Sequence, residues 1–144
     1  MLQRDFQNER FNRIFDMVIV SLPSVHQQKI QNALRLVTDR AEVAEANGVQ
    51  AAKAAVAHRG GGVVMFVNAN ELQRESDQRI AGVMAHEFAH LVLGHTSAKS
   101  ATPETRWLED CHCDELAGAW GFERTVQAMA NEGADRIRIH NQWN

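Results

Sequence analysis

The sequence predicts an α+β fold, a compact single domain that is mostly helical and has a small sheet next to a buried helix. Two observations carry this prediction. Residues 4–20 and 80–93 repeat apolar side chains at helical intervals, whereas Val63–Val67 has the length and valine content typical of a buried strand. A chain of 144 residues is long enough for one domain with its own core, and no repeat or linker divides it.

Residues 1–60 are predicted to form a helical N-terminal part. A first helix over residues 4–20 ends before Pro23, and a second begins with Ser24 as its N-cap and continues to about residue 45. The side chains expected to point inward are Phe6, Phe11, Ile14, Phe15, Val18, Ile19, Val25, Ile30, Leu34 and Val37. Residues 49–58 are rich in alanine and fit either a helix or a strand.

Residues 61–122 are predicted to hold the core of the functional site, and residues 123–144 form a C-terminal segment. Gly60–Gly62 leads into the strand Val63–Val67 and fits a hairpin turn. A helix then begins after Ser76, which is a good N-cap residue. It ends at Gly94, because glycine suits the left-handed position that follows a helix.

This helix carries the motif His86-Glu87-Phe88-Ala89-His90. Its other positions are apolar or small over most of the circumference, so the helix is expected in a core. Residues four apart lie on one face, so His86 and His90 can present two imidazoles to one metal ion, with Glu87 beside them as a candidate general base. Burying these polar groups without partners would cost on the order of several kcal/mol, and metal ligation is a natural compensation.

A following helix is predicted from Thr102-Pro103-Glu104 onward, which supplies an N-cap, a proline at the first helical position and an acid in the first turn. Catalytic zinc normally has three protein ligands and one water, so a third ligand is needed. Asp110 and Asp114 lie one turn apart on one face of this helix. One carboxylate can bind the metal while the other accepts a hydrogen bond from a ligand imidazole.

These motifs resemble those of the gluzincin metallopeptidases, in which HExxH is completed by an acid on a following helix and by a second acid four residues later. The wider sequence, from Ala85 through Gly94-His95 to Asp114–Ala117, is similar to the small ImmA/IrrE-like (M78) metallopeptidases, which mobile elements, including phages, often carry. The acid-x-x-x-Asp pattern is similar to that of the M48 family. The resemblance covers residues 62–122 and implies a zincin-like fold, Zn²⁺ as cofactor and a regulatory protein, such as a repressor, as substrate.

The resemblance assigns Asp110 as the third metal ligand beside His86 and His90. The families usually have Glu at this position, and the side chain of Glu is one methylene longer. Glu109 has that length but points about 100° away from Asp114 on a helix, so it is the alternative ligand. Asp114 is then expected to orient a ligand histidine.

The remaining histidines are less informative. His95 directly follows Gly94, a spacing that breaks the metzincin pattern, so His95 is expected either near the site as a transition-state donor or in an exposed loop. His112 is a second candidate donor. The histidines without metal-binding spacing, which are expected at the surface, are His26, His58 and His140.

The predicted function is that of a zinc metalloendopeptidase, a hydrolase that cleaves a protein or peptide substrate. Glu87 takes a proton from a zinc-activated water and delivers it to the leaving amine. In zincins a strand just before the metal helix pairs with the extended substrate, and Val63–Val67 occupies that place in the sequence. The alternatives are a zincin-fold zinc-binding interaction module without peptidase activity and an interaction protein without metal.

Composition and charge limit the possible binding partners and the cellular location. A formal net charge of −3 with scattered basic residues argues against nucleic-acid binding. Neither a signal peptide nor a membrane span is expected, because acids interrupt the N-terminus and the longest apolar stretch is short and polar at its centre. Cys111 and Cys113 point about 200° apart on a helix, so neither a disulfide nor joint chelation is expected. Reduced, half-buried cysteines fit a cytoplasmic location.

Overall fold

Four β-strands and six α-helices are present in the described residues of the computed structural model, which are residues 2–50, 52–95 and 102–122. In chain order they are β1 (Gln3–Asp5), α1 (Glu9–Ser21), α2 (Ser24–Ala33), β2 (Leu34–Thr38), α3 (Ala41–Ala46), β3 (Ala54–Arg59), β4 (Gly62–Val67), α4 (Ala69–Leu72), α5 (Asp77–Leu93) and α6 (Pro103–Ala117). A short π-helical turn, Gly118–Phe122, continues from α6. The α+β class and the single domain are confirmed, and the predicted C-terminal segment, residues 123–144, lies outside the described residues.

The sheet has the strand order β1-β2-β4-β3. Strand β2 pairs in parallel with both β1 and β4, whereas β3 and β4 form an antiparallel hairpin. Gly60 and Gly61 close this hairpin with φ angles of 38° and 95°, a backbone region that side chains disfavour. The hairpin prediction for the glycine run and the strand prediction for Val63–Val67 are therefore confirmed.

The N-terminal part contains more sheet than predicted. Residues 1–60 include three strands, and the second helix ends at Ala33 instead of near residue 45. Apolar residues at 34, 36 and 37 also fit a strand that is covered on both faces, and pairing with β1 and β4 selects that strand. Val25, which was predicted to point inward, is 70 % exposed. The alanine-rich residues form the strand β3.

The first helix begins at Glu9, five residues later than predicted. The side-chain oxygen of Asn8 accepts hydrogen bonds from the backbone N–H groups of Arg10 and Phe11, which fixes this start. Gln3–Asp5 pairs with β2 as the short strand β1. The predicted inward face of α1 is buried as expected, at Phe11, Ile14, Phe15, Val18 and Ile19.

The core lies on both faces of the sheet. In β4, Val63, Met65 and Val67 belong to the larger apolar cluster, which also contains the inner faces of α1 and α5. Val64 and Phe66 belong to a smaller cluster on the opposite face, where α3 packs. Because β4 is central and buried on both faces, its side chains contribute to both parts of the core.

Helix α5 is the central helix of the larger cluster, packed against α1, α2, α6, β3 and β4. The predicted ends are confirmed: the Ser76 hydroxyl accepts from the N–H of Arg79, and Gly94 is left-handed with φ 81°. Helix α6 begins as predicted, with the Thr102 hydroxyl accepting from the N–H of Thr105. None of the helices described here is long and apolar enough to cross a membrane.

Candidate metal centre

The polar stripe of α5 faces α6. His86 and Glu87 are each 9 % exposed, and the side chain of His90 is 15 % exposed. Apolar residues of α5 fill the rest of the helix surface, which holds the backbone of these three residues in place. The stripe is therefore presented by a rigid element.

Three ligand atoms from the two helices converge on one point. His86 Nε2 lies 3.2 Å from Asp110 Oδ1, His90 Nε2 lies 3.1 Å from the same oxygen, and the two Nε2 atoms are 3.1 Å apart. Two ligand atoms on a tetrahedral zinc, each at 2.0–2.1 Å, are separated by about 3.3 Å. The triangle has the dimensions that one zinc ion requires.

The chemistry of these three ligand groups also fits a bound cation. If both Nε2 atoms carried protons, two N–H groups would oppose each other at 3.1 Å, and only one oxygen would accept from both. Zn²⁺ attracts two imidazole lone pairs and a carboxylate together, and all three are ordinary zinc ligands. The residues His86, His90 and Asp110 therefore fit the metal that the sequence predicts.

Asp114 lies behind the ligand histidine. Its Oδ1 is 2.8 Å from Nδ1 of His86, on the far side of the ring from Asp110. A proton on Nδ1 donates to this carboxylate and leaves the Nε2 lone pair directed at the convergent point. The structure thus brings Asp114 to the place predicted for an orienting carboxylate.

The pKa values of His86 and Asp110 shift in opposite directions because the two groups are hydrogen-bonded to each other. Burial alone would lower the pKa of His86, but hydrogen bonds to Asp110 and Asp114 outweigh it and raise the pKa to about 10. The Asp110 carboxyl responds in the opposite direction. Burial would raise its pKa, but the hydrogen bonds to His86 and His90 hold it well below the ordinary value.

Glu87 is buried beside the ligand pair. Desolvation raises the pKa of its carboxyl, and the charges of His90 and His86 oppose that shift. A carboxylate in a poorly hydrated site beside His86 and His90 suits proton transfer, because burial makes it a stronger base. Glu87 lies beside the three converging groups and is not one of them.

Cys113 is the residue that sequence reasoning missed. It is fully buried, and its Sγ, together with the ligand nitrogens of His86 and His90, belongs to a group of atoms that all lie within 4.8 Å of one another. The prediction considered the two cysteines as a pair and expected both to be half-buried. The spacing of Asp110 and Cys113, three residues apart on one helical face, is the signal that would have found it.

The two other candidate histidines, His95 and His112, differ in whether they approach the site. His95 approaches the site: its ring centroid is 5.6 Å from that of His90, and its Nδ1 is 3.7 Å from Sγ of Cys113. Burial lowers the pKa of His95, and the charge of Glu109 opposes that shift. Glu109 thus acts on His95, while the contacts of the ligand histidines with α6 are made by Asp110 and Asp114. His112 is exposed on α6.

The other histidines are only partly as expected. His58 is exposed, as predicted, and His140 lies outside the described residues. His26 is not a free surface residue, because the indole N–H of Trp120 donates to its Nδ1 at 3.0 Å. The contact joins α2 to the turn after α6 and could not be inferred from residues 94 positions apart in the sequence.

The expected substrate-pairing strand needs a correction. Val63–Val67 lies in β4, which is paired on both sides, by β2 and by β3, and therefore has no free edge. Among the described strands, β3 is at the edge of the sheet next to β4, and it packs against α5. An extended peptide can add only to such an edge.

The chain was compared with known proteins at three levels. No family model, no curated protein and no solved structure matches it. Function must therefore be inferred from the geometry of the site itself.

Proposed function

We propose that this protein is a zinc-dependent endopeptidase of zincin-like fold that hydrolyses a peptide bond in a protein substrate. The observation that carries the proposal is the triangle of His86 Nε2, His90 Nε2 and Asp110 Oδ1, with separations of 3.1–3.2 Å. Three protein ligands leave the fourth position of a tetrahedral metal to water, which is the composition of catalytic sites.

Each residue of the site has a separate role in the proposed reaction. His86, His90 and Asp110 would hold the zinc, which would lower the pKa of a bound water and polarise the carbonyl of the scissile bond. The Glu87 carboxylate accepts the proton from the attacking water and donates it to the departing amine. Asp114 holds His86 in the tautomer that binds metal, and the apolar surroundings of α5 exclude bulk water from the proton transfer.

The sheet edge supports a peptide as the substrate. In the part of the chain that the structure describes, β3 pairs only with β4, so its other edge can accept a further strand. Pairing through backbone groups would bind an extended substrate with little dependence on its sequence. Because β3 packs against α5, a peptide on this edge would run beside the helix that carries the catalytic motif.

The setting that fits best is the cytoplasm. Both cysteines in the described residues are free thiols, which is typical of a reducing compartment. The resemblance of the motifs to the ImmA/IrrE-like metallopeptidases favours a regulatory protein as substrate over bulk degradation.

A second candidate is a zinc-binding module that does not cleave. One observation favours it: Sγ of Cys113 and the ligand atoms of His86 and His90 lie within 4.8 Å of one another, so a small shift would make Cys113 a fourth ligand. Four protein ligands make a closed, structural site without a bound water. The two candidates differ in whether an open position exists.

Glu87→Gln distinguishes them. The amide keeps the shape but cannot take a proton from water, so zinc content and fold should be retained while cleavage falls by about two to four orders of magnitude. The assay digests a mixture of denatured proteins and reads new termini by mass spectrometry. Glu71→Gln, an exposed change on α4, is the matched control and should be fully active.

Two outcomes would overturn the peptidase. Equal cleavage by the Glu87→Gln variant and the parent would assign the activity to a contaminant or another base. Zinc-loaded protein that produces no new termini in any denatured protein, whether as the parent or as Cys113→Ala, would support the non-cleaving module.

A further inference from the structure

Helix α6 carries the thiol of Cys113 close to the carboxylates of Asp110 and Asp114. Cys113 lies three residues after Asp110 and one before Asp114, and these positions share one helical face. Its side chain is completely buried at the contact between α5 and α6. The two carboxylates are fixed by their contacts with the histidines, and this brings the thiol to the same cluster.

The distance between the thiol and the histidines is short. Around a tetrahedral zinc with bonds of about 2.3 Å to sulfur and 2.05 Å to nitrogen, sulfur and nitrogen are about 3.6 Å apart. The ligand atoms of His86, His90 and Cys113 already lie within 4.8 Å of one another. A displacement of about 1 Å, within reach of a side-chain torsion and a small helix shift, closes the gap.

The thiol also has an alternative partner. Nδ1 of His95 lies 3.7 Å from Sγ, a distance at which the S–H can donate a weak hydrogen bond. A cysteine that served only to fill the core would be apolar on all sides. The Cys113 thiol instead has the imidazole of His95 on one side and the candidate metal position between His86 and His90 on the other.

We propose that Cys113 is an exchangeable zinc ligand that closes the metal site. The inference rests on the proposed zinc site and adds its regulation. In the open form His86, His90 and Asp110 hold the metal and Cys113 donates to His95. In the closed form Sγ binds the metal in the place of water, and the thiol proton is released to solvent as the Zn–S bond forms.

The closed form has two consequences. With four protein ligands there is no position for the attacking water, so only the fraction of molecules in which Cys113 has left the metal can cleave a substrate. A thiolate ligand also makes the site softer, which favours Zn²⁺ over Mg²⁺ or Mn²⁺. The site therefore retains zinc at rest and exposes it for catalysis only after a small movement of α6.

X-ray absorption spectroscopy at the zinc edge tests the proposal on the full chain loaded with one equivalent of Zn²⁺. The parent protein should show a sulfur neighbour at about 2.3 Å in addition to nitrogen and oxygen at 2.0–2.1 Å. Cys113→Ala should lose the sulfur neighbour and keep stoichiometric zinc. Cys111→Ala is the matched control, because Cys111 points away from Cys113 on α6, and it should keep the spectrum of the parent.

The outcomes are separable from those for the proposed function. Stoichiometric zinc with only nitrogen and oxygen neighbours in the parent would overturn the thiol ligand and leave the peptidase proposal standing. Protein that binds no zinc would overturn both. If Cys113→Ala does not fold, the parent and Cys111→Ala spectra still decide the question, and Co²⁺-loaded parent should show a thiolate-to-metal charge-transfer absorption in the near ultraviolet.

Discussion

Two buried polar clusters of this protein follow different rules. The first is built around Asp39, which is 3 % exposed and joins the end of β2 to the segment before α1. Its Oδ1 accepts from the N–H of Gln7 at 2.9 Å, and its Oδ2 accepts from the N–H of Asn8 at 2.8 Å. Next to it, the Thr38 hydroxyl donates to Asp5 at 2.8 Å. Donors and acceptors match in this cluster: each oxygen of Asp39 accepts from one N–H, and Asp5 Oδ2 accepts from both Thr38 and the guanidinium of Arg40.

The second cluster is the candidate metal centre, where donors and acceptors do not match, because two imidazole nitrogens of the same kind lie 3.1 Å apart. His86 and His90 direct one nitrogen each at a single oxygen of Asp110, and the other ring nitrogen of His90 is buried with no hydrogen-bond partner in the described residues. A paired cluster is complete without any ligand, and a convergent one is completed by a cation. The comparison distinguishes polar groups that stabilise the fold from polar groups that are arranged to bind a cation.

The largest expected effect tests which acid belongs to the convergent cluster. Asp110→Ala removes one of three ligands, so zinc affinity should fall by more than about a hundredfold, beyond the loss expected for an outer partner. Glu109→Ala, its neighbour on the same helix, should change affinity by only a few-fold at most. Competition with a fluorescent zinc chelator measures both. Loss of zinc from Glu109→Ala and not from Asp110→Ala would contradict the structure at α6.

The paired cluster should respond in stability, with no change in metal binding. Asp39→Ala leaves two part-buried N–H groups without acceptors, at about 1–3 kcal/mol each, so the free energy of unfolding should fall by roughly 2–6 kcal/mol. Urea denaturation should give the same loss with and without zinc. Asp16→Ala removes an exposed ion pair with Arg4 and should cost about 0–1 kcal/mol. A zinc-dependent effect of Asp39→Ala would show that the clusters are coupled.

Asp114→Ala should have the smallest effect of the three. It contacts a ligand without being one, so zinc affinity should fall by about ten- to a hundredfold, or about 1.4–2.7 kcal/mol. Glu115→Ala, an exposed neighbour, is the control and should bind zinc normally. An Asp114→Ala protein with unchanged affinity would mean that the tautomer of His86 is fixed by another group.

The parts of the fold that could be predicted from the sequence are those determined by residues close together in the chain. The ends of α5 follow from Ser76 and Gly94, which act on the backbone beside them, and both were predicted. Strands β1 and β2 depend on pairing with distant residues, so local periodicity extended the helices over them. Val25 shows the same limit, because helical spacing alone cannot say which end of α2 is covered.

The candidate site divides in the same way. Positions on one helix follow from a spacing of one turn, and this placed His86 with His90 and Asp110 with Asp114. The contact between the helices joins residues 20 to 28 positions apart. Spacing could therefore group Cys113 with Asp110 but could not show that this face meets the histidines, and it left open whether His95 approaches the site. Spacing within an element predicts what shares a face, and packing between elements decides what that face meets.

The most direct test of the account is the zinc content of the full chain purified without a metal-binding tag, measured by plasma mass spectrometry. The account predicts about one zinc per chain in the parent and in Asp39→Ala, and none in His86→Ala or His90→Ala. Circular dichroism should show that the variants remain folded. A folded parent protein that holds no zinc and cannot be loaded, or full occupancy in His90→Ala, would contradict the convergent site.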